Sequence, residues 1–384
     1  MNTKHMHWIE IDRLALSHNL QQFRRLIGSK RKLLATVKAN AYGHGILEVG
    51  NIAQRQGADW LGVHSVKEGI LLRENKVNCP ILVLGYVPFD ELELSVEHNL
   101  RMTVYNPETV ERLGSLSARS GEKIPLHLKV ETGTHRQGIR EEILLSFIEK
   151  IQSYPGLILE GLSSHFANIE DTTDHSYALF QLDNFKRICH KLESRGISIP
   201  VKHIACTAAA ILFPDTYFDM VRIGIGMYGL WPSKETYLSC ILQNREPIQL
   251  KPALTWKTRV AQIKKVPKGA YVGYGCTFRA TRETLLAVLP IGYYDGYSRA
   301  FSNVSYVLLK GQRAQVRGRV AMDFITIDVT DIPGVELEEE VVLLGEDKGD
   351  KITAEDLARL AGTINYEIVT RINPQIPRII VPSG

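Results

Sequence analysis

Eight short apolar runs, each followed by a longer polar or amphipathic stretch, fill the first two-thirds of this 384-residue chain and restrict the folds open to it. The runs lie at residues 33–37, 60–63, 81–84, 102–105, 126–130, 157–162, 201–205 and 220–223, with helical patterns such as 46–56, 107–119, 139–153 and 176–195 between them. A strand, a helix and another strand in succession require right-handed crossovers and a parallel sheet. Eight such units predict closure into a (β/α)₈ TIM-like barrel, an α/β fold, with a doubly wound open sheet as the alternative. After about Trp231 the pattern changes. Runs rich in Val, Ile, Thr and Tyr at 254–263, 285–289, 306–309, 324–329 and 340–344, broken by Gly and Pro, predict a mainly β second domain with a helix at 353–361. The expected division is a barrel over 1–240 and a β domain over 241–384, joined within 236–252.

Composition removes several classes of function. With 44% hydrophobic and 23% charged residues the chain reads as globular, and a net charge of +4 without long Lys/Arg runs gives no stripe for nucleic acid. Five scattered cysteines, none in a C-x-x-C pair, argue against a disulfide framework and a cysteine-rich zinc site, so no metal is expected. Residues 1–12 are polar and lack the apolar centre of a secretory signal. No apolar run approaches the ~18 residues of a membrane span, so a cytoplasmic protein without a membrane partner is expected.

In such a barrel, chemistry sits where strands end. Lys38 follows the first run directly and precedes Ala39-Asn40-Ala41-Tyr42-Gly43-His44-Gly45. A lysine amine in a pocket can form a Schiff base with a carbonyl cofactor and then move protons, although a lysine ending a strand is by itself more often a surface residue. The seventh run leads into Cys206-Thr207-Ala208 and the eighth into Gly224-Ile225-Gly226. Thr207 as a helix cap and backbone amides beside glycine both suit a phosphate, and both also suit ordinary turns. Arg222 reads as a buried ion-pair partner or as a permanent cation facing a cofactor nitrogen. His165 ends the sixth run. Lys129 and Arg136 flank the end of the fifth, where two cations also suit a solvated rim.

Taken together these segments resemble the bacterial alanine racemases, fold-type III pyridoxal-phosphate enzymes, from Trp8-Ile9-Glu10-Ile11-Asp12 to Pro377-Arg378. The likeness is most specific in Val37-Lys38-Ala39-Asn40-Ala41-Tyr42-Gly43-His44-Gly45. It continues through Gly273-Tyr274-Gly275, Gly292-Tyr293-Tyr294-Asp295-Gly296-Tyr297, Met322-Asp323 and Ile364-Asn365-Tyr366-Glu367. The resemblance implies pyridoxal 5'-phosphate bound through Lys38, with phosphate contacts from Tyr42, Thr207, Gly224, Ile225 and Tyr366. It places Arg222 on the pyridine nitrogen and His165 beside it. Lys38 and Tyr274 would be the two bases, Tyr274 coming from the partner subunit of a homodimer with shared sites. Arg136 would meet the substrate carboxylate, Met322 and Asp323 would stand at the substrate entrance, and Lys129 is a lysine that relatives can carbamylate. The product would be D-alanine, a peptidoglycan precursor.

Some positions depart from the family's pattern. Thr134-His135-Arg136-Gln137-Gly138 replaces the usual Met, small residue and Arg-Leu-Gly, Cys206-Thr207 replaces Asn-Ser, and Ala321 replaces Ser or Cys. The alternatives are a racemase of serine or another small amino acid, a non-catalytic pyridoxal-phosphate-binding protein, and a fold-type III decarboxylase. The single-barrel binders lack the β domain that carries Tyr274, and neither Cys240 nor Cys276 has the setting of the decarboxylase cysteine.

Overall fold

A computed structural model describes residues 5–382, which form two compact units. The first contains residues 15–41 and 49–251. Among its described residues, eight parallel strands run Lys32–Thr36, Trp60–Val63, Ile81–Val83, Leu100–Val104, Ile124–Lys129, Leu157–Ser163, Val201–His203 and Met220–Ile223. Each pairs with the next up to Val201–His203, and Met220–Ile223 pairs with Lys32–Thr36. The remaining gap is bridged by Asp219 N–H to Lys202 O (3.0 Å) and Arg222 N–H to Ala205 O (3.2 Å). The sheet therefore curls into a barrel, and the open-sheet alternative falls.

Leu34, Trp60, Leu82, Val201 and Met220 form a buried cluster in the first unit, each such side chain contributing about 1.5–3 kcal/mol of burial. The helix Pro107–Ser120 starts on a proline, whose missing N–H costs nothing there, and stops at Gly121 in the left-handed region (φ 73°). The predicted helix at 139–153 is shorter, Leu144–Gln152. Its start is lost because Ile139 is backbone-bonded to Lys129 and Glu131 at a strand end.

The second unit holds the residues up to 14, 42–48 and those from 252 onward. Its larger sheet joins Gln312–Gln315, Tyr306–Leu309, Glu340–Asp347, Leu254–Arg259, His7–Asp12 and Arg378–Val381 in that order. The first strand of the chain thus pairs antiparallel with Leu254–Arg259 and parallel with Arg378–Val381, which its local pattern does not announce. A three-stranded sheet adds Gln262–Val266, Thr284–Leu289 and Ile325–Asp328. The single run expected at 254–263 is two strands, because the backbone leaves one sheet for the other at Val260–Ala261. Trp256, Tyr297 and Phe301 stack edge-on within the core of this unit. No helix among the described residues is long and apolar enough to cross a membrane.

Candidate active site

Lys38 stands two residues beyond the end of the barrel strand Lys32–Thr36. The next four residues, Ala39 to Tyr42, all have φ between 52° and 54°. A left-handed run of side-chain-bearing residues costs about 1–2 kcal/mol per residue, so neighbours must hold it. Ala39 N–H donates to Glu68 Oε1 (2.7 Å), and Ala41 N–H to Val37 O (2.9 Å). Glu68 is itself fixed, because its other oxygen closes the capping box with Ser65 that starts the helix Val66–Glu74.

Burial lowers the Lys38 ammonium pKa, helped by the positive charges of Arg136 and Arg222 and opposed by Glu68 and Glu170. Burial with Arg222 and Arg136 lowers that of Lys129 to about 8. None of Lys38, Lys129, Arg136 and Arg222 has an ion-pair partner among the described residues. Four mutually repelling cations, with Glu68, Glu131 and Glu170 acting on the lysines without pairing to them, make a site suited to anions.

Arg222 is held hard. One terminal nitrogen, Nη1, donates to His203 Nδ1 (2.5 Å) and His203 O (3.1 Å). The other, Nη2, reaches Ser164 O and Ile204 O (both 2.9 Å) and His165 Nδ1 (3.3 Å). All four terminal N–H groups are thereby engaged, and the Nε–H is left over for a further acceptor. Arginine cannot accept, so His165 Nδ1 carries a lone pair and its N–H sits on Nε2. Burial and then the charge of Arg222 hold His165 well below the ordinary histidine pKa, in its neutral form. Thr134 Oγ1 (2.6 Å) and Gln181 Nε2 (3.1 Å) both donate to the His165 carbonyl and pin its backbone.

Thr207 is the first residue of Thr207–Leu212 and does not cap it: Cys206 stands at the cap, without a side-chain hydrogen bond. The Thr207 hydroxyl accepts from Gly224 N–H (3.0 Å), which frees its own proton for an anion. Beside it, Ile225 and Gly226 open the short turn Ile225–Tyr228, and their amides have no carbonyl within it to donate to. A Cβ on Gly226 would lie 2.7 Å from Thr207 Cγ2 and 2.5 Å from the Phe23 ring, so only glycine fits this cradle. A hydroxyl, unspent amides and a spare guanidinium N–H beside a depressed lysine are the donor set a phosphorylated pyridine aldehyde needs.

The structure brings Lys38, Lys129, Arg136, His165 and Arg222 into one electrostatic cluster, with Thr207, Gly224 and Ile225 at neighbouring strand ends. Arg136 and His165 line a cleft of about 410 Å³ together with Glu170 and Cys206. Burial and then the carboxylate of Glu170 push the Cys206 thiol up to about 12, so the Asn-to-Cys departure adds no nucleophile. The other predicted site residues lie in the second unit. Tyr42 and Tyr366 have ring centroids 6.0 Å apart. Tyr274 is 74% exposed, and Met322 is exposed beside Asp323. Gly318, at the head of the segment leading to Met322 and Asp323, would place a Cβ 2.6 Å from Val272 O, so the Tyr274 turn and that segment pack together. Sequence reasoning missed His203, Glu68, Gln181 and Glu170. The signal available was a polar residue inside an apolar run, as His203 is within 201–205.

A lysine of lowered pKa and a captive arginine at the strand ends of a parallel barrel define a class: a barrel whose site gathers cations and hydrogen-bond donors suited to small anions. Family models described as the alanine racemase N-terminal and C-terminal domains match residues 11–232 and 253–380. Alanine racemase of Halothermothrix orenii is 43% identical over 97% of this chain and 96% of its own length. The solved alanine racemase of Clostridium difficile 630 superposes with a TM-score of 0.92 at 34% identity, covering 99% of this chain and 97% of that one. A histidine racemase from Leuconostoc mesenteroides subsp. sake superposes at 0.89 with 30% identity, covering 99% of each. The chain belongs to the alanine racemase family.

Proposed function

We propose that this chain interconverts L- and D-alanine with pyridoxal 5'-phosphate as its cofactor, anchored on Lys38. The observation that carries the reading is the cluster of Lys38, Lys129, Arg136 and Arg222, four cations without an ion-pair partner among the described residues. When bound, the cofactor draws electrons from the substrate α-carbon so that its proton can leave. Lys38, neutral in a larger fraction than an ordinary lysine, takes or returns that proton on one face. Arg222 offers the spare Nε–H to the ring nitrogen and, keeping its own proton, leaves that nitrogen unprotonated. Arg136 pairs with the substrate carboxylate. Thr207, whose hydroxyl the Gly224 amide fixes, and the Ile225 amide hold the phosphate, with Tyr42 and Tyr366 assigned to the same group.

The second base is Tyr274 of the partner subunit in a homodimer, the role given to the β domain in the division at 240/241, with Met322 and Asp323 contributed at the entrance. His165, neutral and with its N–H on Nε2, is suited to stabilise a tyrosinate oxygen. The setting proposed is cytoplasmic, with D-alanine supplied to peptidoglycan precursors.

The test is incubation with L-alanine in heavy water, reading deuterium at the α-carbon and D-alanine together. Both are expected. Cofactor binding without exchange of alanine would overturn the substrate assignment. L-serine and L-histidine belong in the same assay, since a histidine racemase shares the scaffold and Thr134-His135-Arg136-Gln137 departs from the family's pattern.

Lys129 is proposed to take up carbon dioxide. An amine with a pKa of about 8 is half neutral at that pH, against under about 1% for an ordinary lysine. The resulting anion would stand near Arg136 and orient it. Protein equilibrated with ¹³C-bicarbonate should show a carbamate carbonyl resonance that disappears in Lys129→Ala. Its persistence in that variant would place the carbamate elsewhere.

A further inference from the structure

The guanidinium of Arg222 is buried, and no carboxylate among the described residues touches it. Burial lowers its pKa to about 10, which shows how poorly the charge is solvated. A counter-charge is nevertheless connected to it through the barrel interior. His203 Nδ1 faces Arg222 at 2.5 Å, and His203 Nε2 faces His127 Nδ1 at 2.8 Å. His127 Nε2 faces Glu160 Oε2 at 3.4 Å, and Arg101 Nε stands 3.5 Å from the same oxygen. These last three atoms are buried and none has a hydrogen-bond partner, so they answer one another as charges at close range rather than through hydrogen bonds.

The sequence builds this row deliberately. Pairing runs Leu126↔Leu159 and then His127↔Gly161, so Glu160 is the extra residue of a β-bulge, a device that re-aims a side chain. Its neighbour Gly161 clears the space, since a Cβ there would lie 2.3 Å from His127 Nδ1.

The proton positions follow from chemistry. Arg222 only donates, so His203 Nδ1 accepts and a neutral His203 carries its N–H on Nε2. That N–H points at His127 Nδ1, which must accept, leaving the His127 N–H on Nε2 toward Glu160. Every N–H in the row points away from Arg222. Burial keeps both imidazoles neutral, and Arg222 adds to the effect at His203. At Glu160 burial works to raise the carboxyl pKa, but His127 and Arg101 outweigh it and hold the group ionised.

We propose that Glu160 is a positioning residue for the racemase: its carboxylate faces the N–H end of a row whose His127 and His203 tautomers Arg222 fixes and, through that row, acts as the distant counter-ion that keeps Arg222 aimed. A polarised chain of this kind makes His203 Nδ1 a stronger acceptor than an isolated imidazole. The last link, from Arg222 to the cofactor nitrogen, rests on the function proposed above; the row of side chains does not.

Ring-¹⁵N-histidine NMR of the purified protein, with and without added pyridoxal phosphate, tests it. His127 and His203 should both show a bare Nδ1 and a protonated Nε2 from about pH 6 to 9, the range in which an unburied imidazole would change charge. In Glu160→Gln the tautomers should hold, since Arg222 still only donates, while the His127 Nε2 resonance should move because a neutral amide replaces the carboxylate. The absorption maximum of the bound cofactor should move, and kcat should fall roughly tenfold while KM for alanine holds, the scale typical of an outer-shell partner. Arg101→Gln disturbs the same buried corner but keeps the carboxylate, and should leave the His127 Nε2 resonance and the cofactor absorption near those of the parent. An N–H on Nδ1 of either histidine in the parent protein would overturn the proposal. So would parental spectra in Glu160→Gln, or an equal shift in Arg101→Gln. An ordered row in protein that takes up no cofactor would support the relay and overturn only the cofactor reading.

Discussion

Lys38→Ala should abolish racemisation, lowering turnover by about 10⁴-fold or more, the upper end of what one positioned proton-transfer group supplies. It removes both the anchor and a base, so no hydride-reducible link between cofactor and protein should remain. The fold should survive. Lys38 is a cation disfavoured by burial and by Arg136 and Arg222, and its removal relieves repulsion in the cluster. Borohydride reduction followed by peptide mapping decides the matter, with the label expected on the peptide holding Lys38. A label on Lys129, the other lysine of lowered pKa in the cluster, would move the anchor to the strand Ile124–Lys129.

Tyr274→Phe should lose about 10²–10⁴-fold in racemisation with bound cofactor and thermal midpoint unchanged. The phenol is 74% exposed and has no hydrogen-bond partner among the described residues, so its oxygen contributes little to the folded chain. A loss of turnover would therefore report chemistry. With Lys38 intact, one enantiomer of alanine should still exchange its α-proton for deuterium without inversion, because the base on that face remains. Unimpaired racemisation would mean that another group serves the second face. The partner-subunit origin predicts that mixed dimers of Lys38→Ala and Tyr274→Phe chains regain activity, since one of their two sites would hold both bases; mixtures that stay silent would refute the shared site.

Local pattern carried the barrel because a parallel βα unit writes itself into nearby residues. Buried strands are apolar on both faces, and crossover helices are amphipathic. The strand starting at Trp60 and the one starting at Met220 fall where their runs begin, and Lys38 stands at a strand end for the same reason. The lysine-containing segment was legible from residue identity alone, since Lys38 to Gly45 is contiguous. Pairing partners distant in sequence were not legible. His7–Asp12 meets Leu254–Arg259 about 250 residues away, and nothing within the first twelve residues encodes that partner. The run at 254–263 divides because two sheets compete for it, which is a property of its neighbours.

The sequence by itself determined the residue types of the site and the order in which strands deliver them. Tertiary structure decided their states. It set the lowered pKa of Lys38 and Lys129, the neutral tautomer of His165 and the single spare N–H of Arg222. Each of these depends on burial and on charges a few ångströms away, contributed by strands that are remote along the chain. The His127–His203–Arg222 row draws on residues 127, 203 and 222, with Glu160 turned toward it by a one-residue bulge. A bulge exists only between two paired strands, so its effect on Glu160 cannot be written in either strand alone.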